Sequence, residues 1–215
     1  MYKLYIFDLD GTLIDSDEML RVSLLEMYHK YRPDFDVPDG HTTPFSGPPI
    51  AETIKQEFPK EDTEKLAKEF LKISKRNYVL YCTLYPGVEE ILSTLLGCEK
   101  YVSVVTNKSR EATDYTFGLL GLTEYVQKSV CGNEVKKHKP DPEGILRLIE
   151  QFGIKDKKEV VYIGDSNYDY LTAKNAGVDF GYVTWSPRPI QQDAKIALKI
   201  DSYFAFAEKI KNEKN

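Results

Sequence analysis

The sequence predicts an α/β fold with a parallel sheet and an inserted all-α domain, and two observations carry this prediction. Strand-like runs rich in Val, Ile and aromatic residues alternate along the chain with helical stretches, which is typical of a parallel sheet covered by helices. One long segment, roughly residues 15–85, contains no comparable β-branched run and therefore predicts a helical insertion. The predicted domains are an α/β core of residues 1–15 and 84–215 and a helical domain of residues 16–83.

Four runs have the length and composition of sheet strands. They are residues 2–7, 101–106, 160–164 and 180–184. After Pro86 and Gly87 we expect a helix through residues 88–96 that returns the chain to the sheet domain. Glycines stand where three later helices should end, at positions 121, 153 and 177.

Two amphipathic helices are predicted inside the insertion, because apolar residues recur there at helical spacing. Their apolar faces consist of Leu20, Leu24, Met27 and Tyr28 within residues 17–31, and of Leu66, Phe70, Ile73 and Tyr78 within residues 61–81. These faces are expected to pack together. Between them, residues 33–49 contain several Pro and Gly residues, which predicts an exposed loop.

The composition fits a globular protein and argues against several classes of partner. Of 215 residues, 41% are hydrophobic and 29% are charged, and the net charge of -5 offers no broad positive field for nucleic acid. No run of 18 apolar residues occurs, so no membrane partner is expected. The three cysteines lack a Cys-x-x-Cys spacing, which indicates reduced thiols and a cytoplasmic location.

A pair of acids, Asp8 and Asp10, directly follows the first predicted strand. Open parallel sheets bind ligands at the carboxyl ends of their strands, and the period of two sends both side chains to the same side. Gly11 permits the sharp turn that comes next. Two carboxylates in one pocket repel each other unless a cation or proton intervenes, and Mg²⁺ prefers oxygen ligands. The pair therefore indicates a magnesium site, with the capping of a turn as the alternative.

A second acidic pair, Asp165 and Asp169, follows the strand at residues 160–164 as the chain enters a helix. Asp165 could complete the metal site. The alternative is an N-cap at Asp165 and a solvated first-turn acid at Asp169. The coincidence with Asp8 and Asp10 favours the metal site.

Phosphate-binding groups are expected at two further places. Thr106 and Asn107 end another strand, where a hydroxyl, an amide and the free backbone donors of the next helix suit phosphate oxygens. Lys139 lies in a loop with two prolines and offers the cation that a phosphoryl group among carboxylates requires. Ordinary helix capping and a solvated basic patch are the alternatives for these residues.

Taken in order, these segments resemble the four motifs of the haloacid-dehalogenase superfamily, and the resemblance spans nearly the whole chain. The motifs are Asp8-Leu9-Asp10-Gly11-Thr12, Thr106-Asn107, Lys139-Pro140 and Gly164-Asp165 through Asp169. The insertion after the first motif is similar to the helical cap of the phosphoglycolate-phosphatase and β-phosphoglucomutase-like branch. The resemblance implies a Rossmann-like core with an all-α cap, and a phosphatase that acts on a small phosphorylated metabolite.

The resemblance also implies the chemistry of the acids. Asp8 would attack phosphorus to form an aspartyl phosphate, and Asp10 would protonate the leaving oxygen and then activate water. Mg²⁺ would be the cofactor, held by the Asp8 carboxylate, the Asp10 backbone carbonyl and Asp165. Gly11 would support this loop, and Asp169 would bind metal-ligated water or orient a lysine.

The remaining motif residues would act on the phosphate. Thr106, Asn107 and Lys139 are implied to hold the non-reacting phosphate oxygens as charge redistributes in the transition state. The cap is implied to close over the site and to present the loop around residues 45–49 to the leaving group. A monomer or a homodimer is expected.

Several other functions stay open on the sequence alone. A dehalogenase would also use the first aspartate, but a second acid at Asp10 marks phosphoryl transfer. A phosphomutase would need a cationic cap residue, and residues 42–54 contain neither Lys nor Arg. Pyrophosphate or a nucleotide could be the substrate. A protein that binds phosphate ligands without turnover is the alternative outside enzymes.

Overall fold

The computed structural model describes residues 2–42 and 45–214. Its strands are β1 (Leu4–Phe7), β2 (Ile14–Asp15), β3 (Thr83–Leu84), β4 (Tyr101–Val105), β5 (Lys128–Val130), β6 (Val160–Gly164), β7 (Asp179–Val183) and β8 (Leu198–Ile200). Its helices are α1 (Asp17–Tyr31), α2 (Ile50–Glu57), α3 (Thr63–Tyr81), α4 (Val88–Gly97), α5 (Arg110–Leu120), α6 (Glu143–Gln151), α7 (Asn167–Ala176) and α8 (Tyr203–Lys214).

Six strands form one parallel sheet in the order β5-β4-β1-β6-β7-β8. The chain moves outward from β1 in both directions, so β1 lies between β4 and β6 and their carboxyl ends share one edge. In open α/β sheets this edge holds the ligand-binding crevice. The α/β fold class predicted from the sequence is confirmed.

The side chains of β1 point alternately into two separate cores. Tyr5 and Phe7 join the core that α4 and α8 close, whereas Leu4 and Ile6 join the core that α6 and α7 close. All four are at most 1% exposed. A strand buried on both faces shows a continuous apolar run instead of alternation, which is why residues 2–7 predicted a central strand.

A third core holds the helical segment together. It joins α1, α2 and α3 through buried apolar side chains, among them Leu24, Tyr28, Ile54, Leu66 and Phe70. At the two ends of the segment β2 and β3 pair antiparallel, with Ile14 opposite Leu84. The apolar faces predicted for α1 and α3 therefore do pack together. Tyr78 is the exception, because it belongs to the core that α4 and α8 close.

Some elements differ from the prediction. The short strands β5 and β8 and the helix α2 were not predicted; β5 has only three residues and begins Lys128-Ser129, too short and polar for a strand signal. The loop expected to be exposed is partly buried, because Phe45 packs into the helical core beside His41. Thr43 and Pro44, which that loop prediction included, lie outside the described residues.

The predicted helix ends agree with the backbone. Gly121 and Gly177 follow α5 and α7 in the left-handed conformation, and Gly153 has φ +65° two residues after α6. Within residues 2–42 and 45–214, none of the helices has the length and apolar character needed to cross a membrane.

Candidate active site

Three strands deliver the predicted site residues to one edge of the sheet. Asp8 directly follows β1, Thr106 follows β4 and Asp165 follows β6. Lys139 reaches the same edge from the loop between β5 and α6. The side chains of these four residues are all buried, although each is polar or charged. Buried groups of this kind need partners, and they find them in one another.

A cluster of three carboxylates lies at the centre of this edge. One oxygen each of Asp8, Asp165 and Asp169 lies within 4.8 Å of the others, and all three residues are buried. Asp169 is brought in by the first turn of α7, where its Oδ2 accepts hydrogen bonds from Ser166 Oγ at 2.5 Å and Ser166 N at 3.1 Å. Asp169 is therefore not the solvated helix acid that the sequence left as an alternative.

Lys139 is the cation inside the cluster. Its Nζ lies 2.8 Å from Asp8 Oδ1 and 2.7 Å from Asp169 Oδ1, and it also contacts the Tyr162 hydroxyl at 3.1 Å. The lysine side chain is 4% exposed. An ammonium with two buried carboxylate partners is held in place, so Lys139 is not part of a solvated basic patch.

The electrostatics of the cluster differ from one acid to the next. Burial and the neighbouring Asp169 raise the pKa of Asp8 well above its usual value, and the same two causes raise the pKa of Asp165. Burial also acts on Asp169, but the ammonium of Lys139 outweighs it and lowers the pKa of that carboxyl. The positive groups of the protein therefore compensate the negative charges of Asp8 and Asp165 only in part.

Asp10 lies outside the carboxylate cluster and has a cation of its own. Its Oδ1 accepts hydrogen bonds from Ser16 Oγ at 2.6 Å and from Lys108 Nζ at 2.7 Å. Burial opposes the charge, yet Lys108 and Ser16 outweigh it and lower the pKa of Asp10. Lys108 was not predicted as a site residue, although its position directly after Thr106-Asn107 was a usable signal.

Gly11 allows the backbone to pass close to Asp165. The residue has φ +82°, a conformation that favours glycine, and a Cβ placed on it would lie 2.4 Å from Asp165 Oδ2. The loop after Asp8 therefore requires a glycine here for two independent reasons. The supporting role predicted for Gly11 has this steric basis.

Thr106 and Asn107 both line the cavity beside Asp8. The Thr106 hydroxyl accepts a hydrogen bond from Lys108 N at 3.1 Å. Both ends of the Asn107 amide are occupied, since Oδ1 accepts from Lys139 N at 3.0 Å and Nδ2 donates to Gly47 O at 2.9 Å. Asn107 therefore connects the loop of Lys139 to the loop of the helical segment.

Arg188 is a second charged residue that the sequence reasoning missed. Its Nη1 lies 2.5 Å from Asp165 Oδ2, and its Nη2 contacts Asp17, the first residue of α1. Ser186 Oγ donates to the same oxygen of Asp165 at 2.6 Å. Both residues follow β7, and the carboxyl end of a parallel strand was the signal that could have identified them.

A cavity of about 500 Å³ opens in front of Asp8 and extends to the helical segment. Asp10, Thr106, Asn107, Lys108 and Lys139 line it on the core side. Residues of α1, α2 and α3 and of the loop at 45–48 form the opposite wall. Its volume is that of a typical small-molecule site.

The acidic cluster fits a hard divalent cation. Among the residues that the structure describes, the cations paired with these three buried carboxylates are Lys139 and Arg188. The raised pKa values of Asp8 and Asp165 are consistent with a site that favours more positive charge. All the donors of the cluster are oxygens, which Mg²⁺ prefers over the softer metals. These residues therefore suit Mg²⁺.

Known proteins resemble the chain over most of its length. The haloacid dehalogenase-like hydrolase family model matches residues 5–183. Pyrophosphatase PpaX of Halalkalibacterium halodurans is 32% identical over 85% of this chain and 84% of the relative.

Solved structures agree in fold. A structure described as a predicted phosphoglycolate phosphatase from Haemophilus somnus superposes with a TM-score of 0.78 at 25% identity, covering 99% of this chain and 98% of its own. A haloacid dehalogenase-like family hydrolase of Streptococcus pneumoniae reaches a TM-score of 0.80 at 17% identity, covering 97% and 98%. The match of the family model, which includes all four motif segments, confirms the resemblance found in the sequence. The chain belongs to the haloacid dehalogenase-like hydrolase family.

Proposed function

We propose that this enzyme is a magnesium-dependent phosphatase that hydrolyses small phosphate esters through a phosphorylated Asp8. The observation that carries the proposal is the buried cluster of Asp8, Asp165 and Asp169 around Lys139, at the mouth of a cavity large enough for a metabolite. The carboxylates of Asp8 and Asp165 and the Asp10 backbone carbonyl would hold Mg²⁺. When bound, the ion would supply positive charge that stabilises the carboxylates and the phosphoryl oxygens.

In the first step the carboxylate of Asp8 attacks phosphorus. A bond forms between an Asp8 oxygen and phosphorus while the ester bond breaks. Asp10, which takes up a proton when the negatively charged phosphate group enters the cavity, donates this proton to the departing oxygen. Lys139 and Thr106 hold the transferring phosphoryl group, and Asp169 orients the Lys139 ammonium. Asn107 holds the backbone of Lys139 in position, and the Nδ2 hydrogen that does not bind Gly47 would donate to a phosphate oxygen.

In the second step a water molecule attacks the phosphorus of the aspartyl phosphate. Asp10, ionised after the first step, accepts a proton from this water, and the bond between Asp8 and phosphorus breaks. Inorganic phosphate leaves and the Asp8 carboxylate is restored. Lys108 and Ser16, which both hydrogen-bond Asp10, keep its carboxylate directed into the cavity.

We assign the role of a cap to residues 16–83 and the role of the catalytic core to residues 1–15 and 84–215. The support is the separate apolar core of α1, α2 and α3 and their position across the cavity from Asp8. A cap that excludes bulk water would strengthen the electrostatic contacts in the site and would limit attack on the aspartyl phosphate to the water that Asp10 activates. The cytoplasmic location and the monomeric or dimeric state stay predictions; all three thiols are free.

Hydrolysis of pyrophosphate is the second candidate. It is favoured by the PpaX relative, which is named a pyrophosphatase and is 32% identical to this chain. The same residues would act, with phosphate as the leaving group. A phosphomutase would need a cap cation for the second phosphate of its substrate, and the cap lysine that lines the cavity, Lys68, is exposed and shares its wall with Glu64. A dehalogenase would have no use for the proton transfer assigned to Asp10.

Replacement of the nucleophile tests the mechanism. Asp8→Asn should lower Mg²⁺-dependent release of phosphate from p-nitrophenyl phosphate by at least about 10³-fold, because an amide cannot form the phosphoenzyme. Asp114→Asn is the matched control, since Asp114 is an exposed acid on α5 outside the cavity. Circular dichroism checks that both variants fold. Undiminished turnover by Asp8→Asn would contradict the mechanism, and saturable binding without turnover by the unmodified protein would indicate a binding protein.

A further inference from the structure

The cavity in front of Asp8 has two chemically different ends. The end formed by the core carries Asp8, Asp10, Lys108 and Lys139 and the polar side chains of Thr106, Asn107 and Ser109. The end formed by the helical segment is mostly apolar, although Ser46, Glu64, Lys68 and Ser74 also line it. Its apolar lining consists of Met19, Leu20, Phe45, Pro48, Ile50, Ala51, Ala67, Phe70, Leu71 and Tyr78. A leaving group attached to a phosphoryl group at Asp8 would extend into this apolar end.

The cations that line the cavity, in the part of the chain that the structure describes, are Lys68, Lys108 and Lys139. Lys139 is paired with Asp8 and Asp169, and Lys108 is paired with Asp10 at 2.7 Å. Lys68 is exposed, and Glu64, one helical turn before it on α3, adds a negative charge to the same wall. The apolar end therefore has no buried cation to offer a second anionic group.

We infer that the substrate of this site is the phosphate monoester of an alcohol with an apolar body, and that pyrophosphate is a poor substrate. The inference rests on the proposed phosphatase function and specifies its substrate class. An apolar leaving group would gain free energy by leaving water for the wall of Phe45, Phe70 and Leu71. A phosphate leaving group would have to lose its hydration beside the same side chains, and the cation on this wall, Lys68, is exposed and lies one helical turn from Glu64.

The charge of the leaving group separates this inference from the pyrophosphatase alternative. Polar leaving groups with a carboxylate, as in phosphoglycolate, face the same difficulty as phosphate. Neutral polar leaving groups lose hydrogen bonds with water that this lining, in which Ser46 and Ser74 supply neutral hydroxyls, replaces only in part. Only an uncharged leaving group with a mostly apolar surface matches this wall both in charge and in hydrogen bonding.

A substrate series on the unmodified enzyme tests the inference. We compare kcat/KM for ethyl phosphate and n-hexyl phosphate, whose alcohols have nearly equal acidity, with phosphoglycolate and pyrophosphate at saturating Mg²⁺. Each buried methylene should contribute roughly threefold to fourfold, so n-hexyl phosphate should exceed ethyl phosphate by about 100-fold. Phosphoglycolate and pyrophosphate should both fall below n-hexyl phosphate.

A cation introduced into the apolar wall provides the second arm. Leu71→Lys should lower kcat/KM for n-hexyl phosphate by about tenfold or more and raise it for pyrophosphate. The matched control is Leu80→Lys, which introduces the same charge on the same helix at a residue that is 67% exposed and does not line the cavity. The control should leave the substrate preference unchanged. If Leu71→Lys fails to fold, the substrate series decides alone.

The outcomes separate this inference from the proposed function. If the enzyme turns over pyrophosphate or phosphoglycolate better than n-hexyl phosphate, the substrate class is wrong while the phosphatase mechanism stands. If ethyl and n-hexyl phosphate have equal kcat/KM, the leaving group does not enter the apolar end and the inference is also wrong. If the enzyme turns over none of the compounds, including p-nitrophenyl phosphate, the proposed function itself is wrong.

Discussion

Lys108 places an ammonium group 2.7 Å from Asp10 Oδ1, inside the cavity and over the ring of Tyr78. The lysine side chain is 10% exposed. Burial disfavours its charge, but the Asp10 carboxylate outweighs burial and raises the pKa of Lys108. The pair is mostly buried, so its charges attract each other more strongly than those of a surface pair do. Lys108 is a positioning residue that acts through Asp10.

Replacement of Lys108 should change how activity depends on pH. Lys108→Met removes the cation that lowers the pKa of Asp10, so this carboxyl holds its proton to higher pH. Because Asp10 acts as the base in the second step, the acidic limb of the kcat profile should move to higher pH. The kcat at neutral pH should fall by about 10- to 100-fold, because Asp10 also loses the contact that directs its carboxylate into the cavity. Lys108→Arg keeps the charge and should restore part of the activity. Phosphate release between pH 4.5 and 9 measures both effects.

The control for this experiment is Lys75→Met. Lys75 forms an exposed pair with Glu111 at 2.7 Å, and exposed pairs contribute little to stability. This variant should keep the pH profile of the unmodified enzyme. A Lys108→Met profile that superposes on the unmodified one would show that Lys108 does not act through Asp10.

The helix α7 begins with a cap that also serves the active site. Ser166 Oγ accepts from Asp169 N at 3.4 Å and donates to Asp169 Oδ2, so one serine satisfies both the helix terminus and a buried acid. The other oxygen of Asp169 holds Lys139 against Asp8. The start of this helix therefore connects local backbone structure to the position of the catalytic cation.

Removal of the cap should lower both stability and turnover. Ser166→Ala should decrease the free energy of unfolding by about 1–2 kcal/mol and also lower kcat, because Asp169 loses a partner and positions Lys139 less well. Asp62→Ala removes a comparable N-cap, at the start of α3, where Asp62 accepts from Lys65 N at 2.8 Å. It should cost a similar free energy without lowering kcat. If both variants lost kcat equally, Ser166 would contribute to stability and would not position Lys139.

At the scale of the whole molecule, the acidic cluster lowers the stability of the metal-free protein. The raised pKa values of Asp8 and Asp165 mean that the folded chain holds these protons more tightly than the unfolded chain does. As the pH rises past the pKa that these carboxyls have in the unfolded chain, the free energy of unfolding therefore decreases. A cation that binds only the folded cluster compensates for this cost.

Mg²⁺ should consequently raise the Tm of the protein. At a concentration of about 100 times Kd, the folded state gains about 2.7 kcal/mol, which corresponds to roughly 5–10 °C for a chain of this size. The gain should shrink as the pH falls below neutral, because protons compete for Asp8 and Asp165 at a higher pH than for ordinary carboxyls. Differential scanning fluorimetry at pH 7.5 and pH 5.5, with and without EDTA, measures the effect.

Asp165→Asn should abolish this gain in Tm, whereas Asp114→Asn, at an exposed acid, should retain it. A gain that survives in Asp165→Asn, or one that does not depend on pH, would place the binding of Mg²⁺ outside the cluster. The readout does not require turnover, so it tests the metal site independently of the mechanism.

Local sequence patterns were sufficient to predict the fold class and the family, and they placed Asp8 and Asp165 at the ends of strands. They left open whether Asp169 is a solvated helix acid or a member of the acidic cluster. The apolar run of β1 and the acid that ends it are neighbours in the chain, as are β6 and Asp165, so a local pattern was enough to place Asp8 and Asp165 at strand ends. The ends of adjacent parallel strands meet at one edge of the sheet. The four strands with longer apolar runs were predicted because such a run is a local signal. The strands β5 and β8, with three residues each, were too short to give this signal.

The pairing of the charged residues and the composition of the cavity wall became visible in the tertiary structure alone. Lys108 and Asp10 are 98 positions apart, and Arg188 and Asp165 are 23 apart, so no periodicity relates them. The apolar end of the cavity combines residues of three helices and a loop, and some of them, such as Phe45 and Phe70, also belong to the helical core. The sequence does not show which apolar residues of these elements face the cavity. Pairing and burial depend on how separate elements pack in space, and that information is distributed over the whole chain.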